Sequence, residues 1–337
     1  MRTTQNKTGK NQSSQTLALL IGAGSLLAPI LIVVCCLYSL YFLILYTSLW
    51  IIAQVYEHRI RQLLNKHGIA SLFDLCRKHK EKVTEYIETL NEPKFINPSH
   101  LPFQELVTEH YKSIREEVLD NVTRQSESFT NAYNNSILST SDSWKACSIL
   151  GWGLRTSSSL PVTEKLMHQI GAVNCNVSRL AAGTDIRSHH GETNAFTRCH
   201  LPLVVPATLP VAGMVVGGEK RSWVEGELLA FIDLNLHGAF NNSTRDRIVL
   251  IFDVIRPELE PYRSLCCARW LVFYTFAVLN DSIAIFPGIG RLRKVWRALF
   301  SLIAEPPLSL VLLVYFRWFC RESPFWFRIH KNTGFYF

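Results

Sequence analysis

The stretch His189-His190-Gly191-Glu192-Thr193-Asn194-Ala195-Phe196-Thr197-Arg198-Cys199-His200 decides how this chain reads, because it sets imidazoles and a guanidinium among apolar residues. In an extended segment successive side chains alternate, so Arg198 and His200 share one face of a predicted strand and His190 lies opposite His189. Taken singly, such residues have plain readings. A histidine on an apolar strand, such as His237, is more often a hydrogen-bonded core residue than a ligand. Arg247, which opens the run Ile248-Val249-Leu250-Ile251-Phe252, reads equally as a surface charge at a strand start, and Asp253 as the residue that ends that strand or pairs locally. Gly217-Gly218 reads as a hairpin turn between Met214-Val215-Val216 and Arg221-Ser222-Trp223, not as a phosphate loop. From His200 onwards, short β-rich runs separated by Gly, Pro and Asn predict a jelly roll. Val107, Tyr111, Ile114 and Val118 recur at helical spacing and predict an amphipathic helix packed on it.

The order of these residues carries more than any one of them. Ala181 to Asn194, Arg198-Cys199-His200, Gly217-Gly218-Glu219, Trp223-Val224-Glu225-Gly226, Phe231-Ile232-Asp233, His237, and Arg247 to Asp253 with Arg256-Pro257-Glu258-Leu259 together resemble the aspartyl/asparaginyl β-hydroxylase superfamily, over about residues 93–265. The resemblance implies a dioxygenase using Fe(II) and 2-oxoglutarate, built on a double-stranded β-helix. It assigns His189 and His237 as imidazole ligands of the iron, and imidazoles suit that ion. It makes Arg247 the partner of the far carboxylate of 2-oxoglutarate, a task that fits a planar, always-charged fork, with Ser178 assisting. Arg198 and His200 would face the iron-bound end of the cosubstrate, Arg198 with a catalytic part, and Trp144 would form the pocket wall. One departure stands out. A facial triad has a carboxylate two residues after its first histidine, where this chain has Gly191; peptide-hydroxylating members share that lack, and Glu192 and Asp233 are possible substitutes.

The chain carries 35 Lys and Arg against 27 Asp and Glu, and its apolar residues concentrate at the two ends. Thr16 to Tyr56 is essentially uncharged. One helix of that length would measure roughly 58 Å, against a hydrocarbon core of about 30 Å, so two transmembrane spans, or a hairpin broken near Pro29 or Cys35-Cys36, are expected. The organisation predicted is a polar tail (1–16), transmembrane segments (17–56), a basic helical linker (57–92), the dioxygenase domain (93–265) and an apolar, basic membrane-associated region (266–337). Arg59, Arg61, Lys66, Arg77, Lys78, Lys80 and Lys82 outnumber Arg2, Lys7 and Lys10 before the apolar block, which puts the catalytic domain on the cytoplasmic side of a membrane, expected to be a bacterial inner membrane. Trp270 to Leu279 and Leu308 to Cys320, interleaved with Arg291, Arg293, Lys294, Arg297, Arg317 and Arg321, read as interfacial helices on an anionic membrane surface. The excess positive charge is thus attributed to lipid, and nothing resembles a nucleic-acid module. Nine cysteines without framework spacing read as reduced thiols.

Apolar ends on both sides of the domain, with Asp253 to Tyr262, look most like the bacterial branch that hydroxylates a fatty acyl chain of lipid A. Peptide-directed members have a second arginine two residues before the one matching Arg198. Phe196 stands there, and an apolar side chain suits an acyl substrate; Gly191 argues the other way, since the lipid branch keeps an Asp there. The expected reaction couples hydroxylation by molecular oxygen to decarboxylation of 2-oxoglutarate. Two alternatives remain open: a peptidyl aspartyl/asparaginyl β-hydroxylase, and a non-catalytic jelly roll that binds a lipid or partner, which the divergence in Phe231 to His237 keeps in view.

Overall fold

The computed structural model describes residues 8–70, 82–124, 129–131, 138–139, 143–152, 154–155, 160–272, 307–308 and 310–312. Helix α1 (Thr8–Lys66) runs unbroken for 59 residues, about 88 Å at 1.5 Å per residue. The break expected near Pro29 or Cys35-Cys36 is therefore not formed. A proline deletes one backbone donor, and an apolar helix otherwise rich in Leu, Ile and Val carries on past it. Its part Cys35–Lys66 is long and apolar enough to cross a membrane. The described residues divide into two units after Glu57, and the second holds the rest of the described elements.

After α2 (Val83–Thr89) and α3 (Gln104–Arg124) come β1 (Thr130–Asn131), β2 (Trp144–Gly151), β3 (Leu154–Arg155), α4 (Pro161–Gln169), β4 (Ala172–Leu180), β5 (Thr184–His189), β6 (Phe196–Val204), β7 (Ala212–Val216), β8 (Glu219–Arg221), β9 (Leu229–Ile232), β10 (His237–Asn241) and β11 (Arg247–Ile255). They form two antiparallel sheets. The larger has the order β1-β2-β4-β11-β6-β9, with β3 also on β2, and the smaller β5-β10-β7-β8. From β4 to β11 the chain crosses between the two at every step except β7 to β8, a hairpin within the smaller sheet, which is wiring of the jelly-roll kind. The roll thus begins at Ala172, earlier than His200. Asn174, Asn176 and Ser178 alternate with Val173, Cys175 and Val177 along β4, and Asn174 and Ser178 take part in the candidate site.

Period-two patterning explains how the larger sheet is shared. Ile248, Leu250, Phe252 and Val254 on β11 enter a core with Val107, Ile114 and Val118 of α3 and Leu166 and Met167 of α4. The intervening Arg247 and Asp253 lie on the other face, and both are buried. That face packs on the smaller sheet through Leu180, Phe231, Met214, Val216 and Ala239. The predicted amphipathic helix is α3. Gly217 and Gly218 turn β7 into β8 with φ of +52° and +84° and Val216 paired to Glu219, a pair of left-handed residues that suits a two-residue hairpin.

Residues 263–272 are helical, and Cys266, Cys267, Trp270 and Leu271 are buried with Phe196, Trp152, Ile255 and, from α1, Ile60 and Leu64. Trp270 to Val272, the first residues of the segment expected at the membrane interface, are thus buried in the domain; the continuation of that segment, and most of Leu308 to Cys320, lie outside the described residues, as do 71–81 of the basic linker. Phe196 meets Trp152 at 5.2 Å and Trp270 at 5.6 Å between ring centroids. Only 2% of it is exposed. Its apolar character is explained by this packing, and it carries no argument about substrate. The seven cysteines among the described residues are free thiols.

Candidate active site

His189 ends β5, His237 opens β10, and the two strands pair these residues directly across the smaller sheet. The rings come to 4.3 Å between centroids. Each Nδ1 lies against the carbonyl two residues earlier in the chain, His189 on Arg187 at 2.9 Å and His237 on Asn235 at 2.8 Å. A carbonyl only accepts, so Nδ1 carries the hydrogen and the Nε2 lone pairs are left available, the arrangement a metal-binding imidazole needs. Burial lowers the pKa of both rings, that of His237 well below the usual value, so both are neutral at physiological pH. His190 instead faces Leu234 O at 2.9 Å and Thr84 Oγ1 at 3.2 Å.

The space that a side chain at position 191 would occupy is filled by Asp233. A Cβ built on Gly191 would fall inside the Asp233 carboxyl group, and Gly191 N donates to Asp233 O at 2.9 Å. Asp233 Oδ1 stands 3.7 Å from His237 Nε2. Arg198 pairs with Asp233 and reaches Asp253 through Nε and Nη2, each at 2.9 Å. Arg198 and Asp253 are register partners on β6 and β11. Asp253 thus lies within its strand and pairs across the sheet, contrary to the local role expected of it, and Asn174 Nδ2 donates to it at 2.9 Å. Burial works against the charge of Arg198, but the two carboxylates outweigh it and raise its pKa. Burial, with the charge of Asp233 next, pushes Glu192 up to about 8. One guanidinium therefore serves Asp233 and Asp253, and the surplus of negative charge beside two neutral imidazoles is what a cation would complement.

The other end of the pocket is the reverse. Arg247 is 1% exposed, its Nη2 donates to Ser178 Oγ at 3.1 Å, and its Nε has no hydrogen-bond partner. Burial alone, with no neighbouring carboxylate to offset it, pushes this guanidinium down to about 9. Ser178 Oγ also accepts from Trp144 Nε1 at 3.0 Å, which places the expected wall tryptophan on the same hydroxyl. Trp223 Nε1 donates to His200 Nδ1 at 3.3 Å, and the Arg247 guanidinium lies 4.7 Å from the centroid of the Trp223 ring. Phe231 sits 5.4 Å from His200 and 5.1 Å from His237, so a continuous line of rings joins the two ends. Of the residues singled out in the sequence, Ser178, Trp144, Arg247 and His200 gather at one end and His189, His237 and Arg198 at the other. Among the described residues no cluster of three or more His, Cys, Asp or Glu has the geometry of a complete metal cage; the donor set here is two imidazoles with Asp233 beside them.

The sequence model of the Aspartyl/Asparaginyl beta-hydroxylase family matches residues 108–257, which hold every residue of the site. Over these residues the domain is similar to the aspartyl/asparaginyl β-hydroxylase superfamily. The ornithine lipid ester-linked acyl 2-hydroxylase of Rhizobium tropici is 28% identical over 228 residues, 64% of this chain and 77% of that protein. The aspartate beta-hydroxylase domain-containing protein 2 of Homo sapiens is 39% identical over 89 residues, and the match spans 26% of this chain and 23% of that protein. Among solved structures, a Pseudomonas putida prolyl-4-hydroxylase overlays on 46% of this chain and 100% of its own, with a TM-score of 0.34 and 14% identity.

Proposed function

We propose that this protein is a membrane-associated hydroxylase that uses Fe(II) and 2-oxoglutarate to hydroxylate an acyl chain of a lipid, on a double-stranded β-helix core. The observation that carries the reading is Arg247: a buried guanidinium with an unpartnered Nε and no counter-charge fits a carboxylate ligand, because a buried charge is otherwise costly to leave unpaired. A dicarboxylate anchored there by Arg247 and Ser178 would extend its other end past His200 toward His189 and His237. Those two residues would hold iron through Nε2, with Asp233 and Arg198 beside the remaining positions. Bound iron would supply the oxygen activation and the oxidising power for C–H hydroxylation. The chain's own residues orient the cosubstrate, keep the two imidazoles neutral and exclude water around the ring line from Phe231 to Trp223.

The lipid substrate rests on the relationship to the ornithine lipid hydroxylase across most of its length, supported by the apolar helix Cys35–Lys66. Within this class the substrate is lipid A, as expected from the sequence, or an amino-acid-headed lipid of the kind named for that relative. The peptide reading is favoured by one feature, Gly191, and by the short match to aspartate beta-hydroxylase domain proteins. Purified full-length protein in detergent with Fe(II) and 2-oxoglutarate decides between them. Products carrying one added oxygen, sought by mass spectrometry in lipid A, in an ornithine-type lipid and in an Asp- or Asn-containing peptide, are expected in a lipid. A peptide product alone establishes the alternative, and no 2-oxoglutarate turnover with any substrate establishes a non-catalytic binding domain.

A further inference from the structure

Three histidines enter this pocket, and their hydrogen bonds divide them. His189 and His237 face carbonyls through Nδ1. His200 faces the indole N–H of Trp223 through Nδ1, and an indole only donates. Its Nδ1 must therefore accept, and in a neutral ring the hydrogen then resides on Nε2. Burial, with the charges of Arg247 and Arg198 next, lowers the pKa of His200 well below the usual value, which keeps it neutral. The two ring planes are 15° from parallel, with centroids 6.3 Å apart, and the 3.3 Å contact between the indole nitrogen and Nδ1 is a hydrogen bond from the indole N–H. His200 Nε2 has no hydrogen-bond partner among the described residues, so the one donor left on this ring is directed to no protein group.

Trp223 also meets Arg247, whose guanidinium lies 4.7 Å from the ring centroid. One indole thus fixes two anion-facing groups at once, His200 through its edge and Arg247 through its face. Trp223 is 1% exposed and lies in the connection between β8 and β9, with Phe231 in the same apolar cluster.

We propose that Trp223 is a positioning residue for the cosubstrate: its N–H locks His200 as the Nε2–H tautomer, which makes His200 a hydrogen-bond donor to 2-oxoglutarate and bars it from serving as a third metal ligand. The proposal rests on the cosubstrate reading above. Without the indole N–H, His200 is free to adopt the other tautomer and to present a lone pair, not a donor, to an oxygen of the ligand.

The test uses full-length protein in detergent, labelled with 15N in histidine and loaded with zinc as a diamagnetic substitute for iron. Two-bond 1H–15N correlations report each tautomer, and the pattern lost in His200→Asn identifies His200. The wild type is expected to show His200 as Nε2–H and His189 and His237 as Nδ1–H. Trp223→Phe keeps an aromatic face under Arg247 and removes only the donor; it should shift His200 to a mixture of tautomers. It should also weaken 2-oxoglutarate binding by roughly three- to tenfold, the size of one hydrogen bond, with zinc affinity unchanged. A wild-type His200 in the Nδ1–H form overturns the proposal whether or not the variant folds. So does a folded Trp223→Phe with an unchanged tautomer or with unchanged 2-oxoglutarate affinity. Wild-type protein that has the stated tautomers but binds no 2-oxoglutarate upholds the lock and overturns the cosubstrate reading instead.

Discussion

At the histidine end of the pocket, Asp233 and Asp253 share one guanidinium and Glu192 lies near them. At the other end, Arg247 has a hydroxyl and an aromatic face but no carboxylate. Each end alone is poor protein design, since unpaired buried charge is destabilising. Together they describe a site whose missing charges are to be supplied by ligands, a cation at one end and an anion at the other. The comparison separates two kinds of residue in the proposed site: Arg247 at one end, and Asp233 Oδ1 and Glu192 Oε2 at the other, keep a buried polar atom without a hydrogen-bond partner, while Arg198 is paired to two aspartates.

The largest effects should come from the two imidazoles. His189→Ala or His237→Ala is expected to lower iron affinity by more than about a hundredfold, since even second-shell changes cost about 10- to 100-fold. His190→Ala, whose ring faces Leu234 O and Thr84, should retain most of it. Iron content after dialysis checks this, and equal loss in all three variants would mean a folding defect.

Arg247 should respond with opposite signs in free and liganded protein. Arg247→Met is expected to weaken 2-oxoglutarate binding by about 2 to 5 kcal/mol, and to raise the melting temperature of the ligand-free protein, because an uncompensated buried charge is removed. Thermal melts with and without 2-oxoglutarate read both effects. A lower ligand-free melting temperature would show that Arg247 has a partner in the protein.

The substitution at Gly191 tests whether Asp233 replaces the absent carboxylate. Gly191→Ala should destabilise the fold by about 1 to 3 kcal/mol through overpacking, because its Cβ would overlap Asp233. Gly191→Asp should be worse, and Asp233→Ser should relieve it. A fully stable Gly191→Asp single variant would contradict the assignment of that space to Asp233.

The smallest effect concerns Glu192. Its folded pKa of about 8 lies above the unfolded value, so the unfolded state ionises first as pH rises. The stability its neutral form allows is complete at acid pH and is lost progressively until pH passes about 8. Glu192→Gln should flatten that decline in metal-free protein. A melt-versus-pH profile unchanged by the substitution would place Glu192 in contact with water.

Most of this candidate site was legible in the sequence only through the family resemblance, and strand parity accounts for a part of it. Arg198 and His200 share a face, and Ser178 and Arg247 meet through adjacent strands β4 and β11. The same parity could have placed Asp253, six residues beyond Arg247 and so on its face, in the pocket, but an acidic residue near the end of an apolar run looks like a terminator. Phe196 failed for the opposite reason. Its parity puts it on the Arg198 face, yet nothing local announces that Trp152 and Trp270, distant in sequence, would bury it. The Asp233 carboxyl occupying the space above Gly191 was open only as one of two substitutes, since the choice depends on the close approach of the segment after β9 to the one after β5. Continuity of α1 past Pro29 likewise follows from the helix around it and not from the proline itself.

The central claim is that one pocket takes a cation and a dianion together. It is tested most directly by calorimetric titration of 2-oxoglutarate into the full-length protein with and without Mn(II) in place of iron. The account predicts binding at least about fivefold tighter with the metal present, within the usual range of coupling between sites. Equal affinities with and without metal, or no binding in either case, would contradict it.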